Sequence, residues 1–133
     1  MTQHLALLSL LVPDYDEGIA FYVDVLGFSL HEDTDMGGGK RWVRIGPPGA
    51  ETAFLLAKAV GDRQVDAIGE QGGGRVWLFL ATDDFDGDHK RMLARGVQFE
   101  EEPRNESYGT VAVFQDPFGN RWDLIQFAAP SDT

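Results

Sequence analysis

The chain has 133 residues, enough for one domain with a real core and too few for two ordinary ones. Its 22 acidic residues against 11 basic ones leave a formal net charge of −11, which argues against the clustered Lys and Arg that bind a phosphate backbone. No run approaches the roughly 18 apolar residues of a membrane span, and the lack of cysteine removes disulfides, thiolate ligands and a thiol nucleophile. We therefore expect a cytoplasmic protein with neither nucleic acid nor membrane as partner.

The N-terminal apolar run has no basic segment before it and no small-residue cleavage site after it, so it reads as a first strand, Leu7 to Val12, not as a leader. Asp14, Tyr15 and Asp16 then open a helical segment. Asp14 is placed to accept bonds from the free N–H groups of the first turn, and Asp16 and Glu17 complement the helix dipole. Ile19, Ala20, Tyr22, Val23 and Leu26 form an apolar stripe at helical spacing, and Gly27 suits a left-handed C-terminal cap. A strand from Phe28 to His31 follows, then a flexible connection from Asp33 to Lys40. Trp42 to Ile45 and Thr52 to Lys58 are the next strands, divided by the turn at Pro47, Pro48 and Gly49.

The same order is then repeated. Val76 to Ala81 is an apolar strand, Asp84, Phe85 and Asp86 open a helix, and Gly96 ends it. From Asp14 to Gly27 is thirteen steps; from Asp84 to Gly96 it is twelve. Strands at Gln98 to Glu101, Thr110 to Gln115 and Arg121 to Phe127 complete the second copy, with a loop at Arg104 to Tyr108 and a tight turn at Asp116 to Asn120. The fold class is therefore α+β, with two βαβββ modules in a single domain spanning residues 1–133. Module one is about residues 4–58 and module two about 75–127. The linker of about 59–74 holds a short helix near Val65 to Ile68 and ends in Gly72, Gly73 and Gly74. Neither copy is large enough to bury its own apolar face well, so the two should pack together.

Two phrases make the repeat specific. The first is Asp14-Tyr15-Asp16-Glu17-Gly18-Ile19-Ala20-Phe21-Tyr22 leading to Leu26-Gly27-Phe28. The second is Asp116-Pro117-Phe118-Gly119-Asn120 leading to Leu124. In this order they resemble the vicinal oxygen chelate superfamily of glyoxalase I, extradiol dioxygenases, fosfomycin-resistance thiol transferases and bleomycin-binding proteins. The resemblance covers nearly the whole chain. It implies an open, incomplete mixed β-barrel around a cavity with helices outside, and a homodimer. Enzymes of that superfamily hold a divalent metal with His or Glu on four cavity-facing strands, where it acts as a Lewis acid.

Transferred to this chain, those four positions are Leu7, Leu55 (with Leu56 as the neighbouring choice), Trp77 and Asp123. Leu and Trp do not ligate a hard or borderline cation, and one carboxylate is not a site. We therefore expect no metal and no other cofactor. His4 lies out of register with Leu7, because strand side chains alternate faces. His31 and His89 read as solvated surface residues.

The same alternation places Leu5, Leu7, Ser9, Ala53, Leu55, Trp77, Phe79, Arg121, Asp123 and Ile125 on one side. Phe54, Leu56, Val76, Leu78, Trp122 and Leu124 then face the helices. The first set reads as a small-molecule pocket, or else as a filled core. We take Leu7, Leu55, Trp77, Phe79, Arg121 and Asp123 as ligand-binding candidates, together with Trp42 and Arg44 on the third strand. Tyr108 joins them as the tip of a loop that closes over a ligand; the alternative is that Trp42 and Tyr108 simply cover the sheet. Asp123 is the candidate acid–base or ligand-anchoring residue, with Arg121 as its expected ion-pair partner.

Three functions follow: a metal-independent small-molecule binder of unspecified ligand, such as an antibiotic-sequestering protein; a metal-dependent lyase or dioxygenase of glyoxalase type; or a metal-free enzyme using Asp123. The first is our expectation.

Overall fold

β1 (Leu7–Val12) and β4 (Ala53–Lys58) pair in parallel, with Leu7 opposite Ala53 and Ser9 opposite Leu55. In this computed structural model, which describes residues 1–129, β4 also pairs antiparallel with β3 (Lys40–Gly46), and β3 with β2 (Ser29–Gly37). The resulting sheet has the order β1-β4-β3-β2. A second sheet has the order β5-β9-β8-β6, built from β5 (Val76–Ala81), β6 (Gln98–Phe99), β8 (Gly109–Gln115) and β9 (Arg121–Phe127). Its β5 and β9 are parallel, and β7 (Arg104–Glu106) adds to β8. Both sheets are mixed and neither closes on itself. The chain divides into two compact units at Ile68 and Gly69, inside the segment expected to link the modules. Residues 130–133, the end of the expected domain, lie outside the described residues.

In the first unit, the core side of the sheet carries Leu10, Val12, Val43, Ile45, Phe54 and Leu56, all buried. The helical segment packs there through α1 (Tyr15–Ile19). A Cβ at Gly18 would stand 2.9 Å from Leu56 Cδ1 and 3.2 Å from Val12 Cγ1, so glycine permits the close approach. Tyr22, Phe28 and Phe54 continue this core as an aromatic cluster, with the Phe28 and Phe54 rings stacked at 6.4 Å. The helix is not regular to its end. Ala20–Val25 is wound as a π-helix, with Leu26 N–H donating to the Phe21 carbonyl at 2.8 Å. Asp14 precedes α1 but makes no side-chain capping bond, contrary to expectation. Gly27 has the positive φ of 93° expected of the cap.

The flexible connection expected from Asp33 to Lys40 is mostly strand instead. Residues Glu32 to Asp35 pair with Arg44 to Arg41 as part of β2, and the turn contracts to Gly38 and Gly39. Two ion pairs across the strands support it: Arg44 to Glu32 at 3.1 Å and Arg41 to Asp33 at 2.7 Å. Arg41 also reaches Asp16 at 2.9 Å and lies 5.2 Å from the centre of the Tyr15 ring. The linker helix is present as α2 (Asp62–Ala67).

In the second unit, α3 (Phe85–Ala94) covers the face of β8 and β9 that carries Phe114, Trp122 and Leu124. Asp84 caps it as expected, accepting from Gly87 N–H at 3.1 Å. The rings of Phe99, Phe114 and Trp122 follow one another at 5.6 and 5.9 Å. His89, expected as a solvated surface residue, is half-buried. It stacks on Phe85 at 5.6 Å and meets the Phe99 ring edge-on at 4.6 Å. No helix among the described residues is long and apolar enough to cross a membrane.

Candidate functional site

Each sheet has a face turned away from its own helix, and the expected site residues fall mostly on these two faces. In the first unit, one cross-strand row reads Ser9, Leu55, Arg44 and Glu32 from β1 to β2. Leu7 lies on the same face of β1, opposite Ala53, and is partly exposed. Trp42 is half-buried one alternation along β3 from Arg44. Arg44 is already engaged with Glu32, so it enters any ligand contact as half of an ion pair.

In the second unit the row is Phe79, Asp123 and Val113, across β5, β9 and β8. Neighbouring strands lie about 4.8 Å apart, so these three side chains stand side by side on one face. Trp77 does not continue the pattern regularly. Val76 pairs with Arg121 but Leu78 with Trp122, so Trp77 is the extra residue of a bulge. It lies against the linker, where a Cβ built on Gly72 would stand 2.8 Å from Trp77 Cβ.

Asp123 is 8 % exposed, and its Oδ1 has no hydrogen-bond partner. The expected ion pair with Arg121 is absent. Arg121 instead grips Glu100 with Nε and Nη2, both at 2.8 Å, and donates through Nη1 to the Gly74 carbonyl at 3.0 Å. The nearby Arg104 is committed as well, to Glu101 and Glu106, each at 2.9 Å. Glu101 spends its other oxygen on Val113 N–H at 3.0 Å. Burial raises the pKa of Asp123 above the ordinary carboxylate range. Arg104 and then Arg121 pull it down from a distance, while Glu101 and Glu100 push it up.

Glu100 and Glu101 are the residues that sequence reasoning passed over. The run Glu100, Glu101, Glu102 and the twofold excess of acids over bases were the available signal, since carboxylates must compete for few arginines.

The segment from Arg104 to Tyr108, expected as a loop, is largely β7 and its turn. Arg104 pairs with Val111 and Glu106 with Gly109, leaving Ser107 and Tyr108 as the turn. Its backbone packs into the end of the sheet, with Ala128 N–H donating to the Tyr108 carbonyl at 2.8 Å, while the Tyr108 side chain is exposed.

The four positions that the resemblance assigns to a metal therefore hold Leu7, Leu55, Trp77 and Asp123. Three of these side chains have no donor atom for a cation. Among the described residues no three His, Cys, Asp or Glu side chains come together as a metal site. The donor set does not fit the metal of the enzymatic relatives.

Residues 3–124 match the Glyoxalase/Bleomycin resistance protein/Dioxygenase superfamily. An uncharacterized protein of Shewanella frigidimarina (strain NCIMB 400) is 51 % identical over 128 residues, covering 95 % of each chain. A probable lactoylglutathione lyase of Synechocystis sp. (strain ATCC 27184 / PCC 6803 / Kazusa) is 25 % identical over 123 residues, covering 91 % of this chain and 93 % of that one. Among solved structures, TnmS3, an antibiotic binding protein from Streptomyces sp. CB03234, superposes with a TM-score of 0.73 at 32 % identity, covering 96 % of this chain and 98 % of its own. The two βαβββ modules, the paired motifs and these matches agree: the chain belongs to the Glyoxalase/Bleomycin resistance protein/Dioxygenase superfamily.

Proposed function

We propose that the protein is a metal-independent binder of a small organic molecule, sequestering its ligand without a Lewis-acid step. The observation that carries this reading is the donor set: Leu7, Leu55 and Trp77 stand where the resemblance asks for three metal ligands. The similarity to a protein described as antibiotic binding supports it. In the first unit, Leu7, Leu55 and Trp42 offer apolar and aromatic area and Arg44 a polar group; in the second, Trp77 and Phe79 offer aromatic area, and Tyr108, Arg121 and Asp123 polar groups for orientation. We expect it to work as a cytoplasmic homodimer.

A second reading has one specific observation in its favour. Asp123 is buried, with its pKa raised, which is how a carboxyl is tuned for general acid–base work without a metal.

Two measurements test the first reading. Elemental analysis of protein purified without chelator is expected to find zinc, nickel, iron and manganese far below one per chain. A panel of planar and cationic organic compounds is expected to include some that raise Tm in a concentration-dependent way. Near-stoichiometric metal that falls in Asp123→Ala would replace this reading with the metal-dependent one.

A further inference from the structure

Two buried side-chain oxygens among the described residues lack a hydrogen-bond partner, Asn120 Oδ1 and Asp123 Oδ1. The first belongs to a turn that is otherwise fully bonded. Asn120 donates to Asp116 Oδ2 at 2.8 Å, and its own N–H donates to Asp116 Oδ1 at 2.8 Å. Asp123 is different, because it stands on the sheet face turned away from α3, in a cross-strand pair with an exposed aromatic ring. Phe79, its cross-strand neighbour, is 63 % exposed.

Such a pair is costly in isolation. A buried carboxyl oxygen without a donor forfeits its hydration and receives nothing in return. Both cations within electrostatic reach are bound to glutamates, so neither donates a hydrogen bond to Asp123. What is missing is a hydrogen-bond donor, preferably positively charged, brought from outside. Phe79 adds a ring face next to it, to which a flat or cationic group is attracted.

We propose that Asp123 and Phe79 form an anchor for a planar aromatic cation bearing an N–H donor, the ring lying on Phe79 and the N–H donating to the Asp123 carboxylate. This rests on the ligand-binding reading above and names the ligand class for it. The carboxyl turns about a soft terminal torsion, so either oxygen can meet the incoming donor. The net charge of −11 attracts a cation to the protein before contact. Selection against anions follows from Glu100, Glu101 and Asp123 together.

The test is a fluorescence titration of the intact protein with aminoacridine, a planar cation with N–H donors. N-methylacridinium, which keeps the ring and charge but has no N–H, and anthracene carboxylate, a planar anion, are the controls. Wild type is compared with Asp123→Asn and Phe79→Leu. Asp123→Asn keeps the shape, and Phe79→Leu changes an exposed side chain, so both should fold; thermal denaturation checks this.

Aminoacridine is expected to bind wild type and to weaken roughly tenfold or more in Asp123→Asn, the size of a lost charge-assisted bond. It should weaken also in Phe79→Leu. N-methylacridinium should respond less to Asp123→Asn, and anthracene carboxylate should not bind. Lowering the pH should weaken aminoacridine binding to wild type but not to Asp123→Asn. The groups facing that carboxyl are Arg121 on its own strand, Arg104 from β7, and Glu100 and Glu101 from the segment after β6.

Equal binding of aminoacridine to wild type and Asp123→Asn would overturn the anchor, as would tight binding of the anion. If aminoacridine fails while other compounds of the panel bind, the anchor is wrong and the ligand-binding reading stands. If no compound of the panel binds, both fall.

Discussion

Around Asp123 two arginines and three glutamates sort themselves by reach. Arg121 takes Glu100 and Arg104 takes Glu101 and Glu106, leaving Asp123 with an unpartnered oxygen. Replacing it with an apolar residue removes a desolvated charge, so Asp123→Leu is expected to stabilise the fold by about 1–3 kcal/mol in chemical denaturation. The pH dependence carries the same signature. The folded state binds the Asp123 proton more tightly than the unfolded chain does. Between the ordinary carboxylate pKa and the raised folded one, the native state therefore holds the extra proton, and stability falls as pH rises through that window. Glu32, Asp33 and Glu100 act oppositely, because the hydrogen bonds from Arg44, Arg41 and Arg121 respectively hold their pKa values low. Their stabilisation is present above the ordinary carboxylate range and is lost as pH falls through their folded values. Subtracting the stability–pH curve of Asp123→Asn from that of wild type should isolate a component that declines as pH rises. A difference curve that is flat, or rises with pH, would contradict the raised pKa.

At the scale of elements, β9 shows how one strand serves two surfaces. Trp122 and Leu124 point to the helix side, and Trp122 is 2 % exposed and stacked with Phe114 at 5.9 Å. Phe127, at the strand's end, is 61 % exposed. Trp122→Ala should cost about 3–5 kcal/mol through a cavity in the second unit, whereas Phe127→Ala should stay within about 0.5 kcal/mol. Urea denaturation of both variants decides it, and comparable losses would mean that β9 is not divided in this way. The helix side was readable because alternation needs only the strand's own residues: Phe54, Leu56, Trp122 and Leu124 all point where period two places them. Two elements were misread for a physical reason. Asp33 to Gly37 and Arg104 to Glu106 are polar or glycine-rich and have little intrinsic strand preference. They are strands because a partner strand supplies the ladder and, for Asp33 and Glu106, an arginine to pair with.

For the molecule as a whole, charge excess sets the balance. With 22 acids against 11 bases, carboxylates outnumber the cations available to pair with them two to one. Self-repulsion should outweigh the few exposed ion pairs, so raising salt from low to physiological ionic strength is expected to raise Tm by a few degrees. A fall in Tm would show that the pairs of Arg41, Arg44, Arg104 and Arg121 dominate instead. Much of the chain's identity is local and was open to reading in advance. The strand and helix periods, the glycine caps, the doubled order of elements and the two motifs each depend on residues close in sequence. That Leu7, Leu55 and Trp77 carry no donor atom for a cation is equally local, since such a side chain lacks one in any fold. Only the tertiary structure decided which carboxylate goes without a partner. Arg121 lies two positions from Asp123 and 21 from Glu100, yet it bonds to Glu100. Long, flexible cations pair with whichever carboxylate the neighbouring segment brings within reach, and that is a property of strand order and register rather than of distance along the chain.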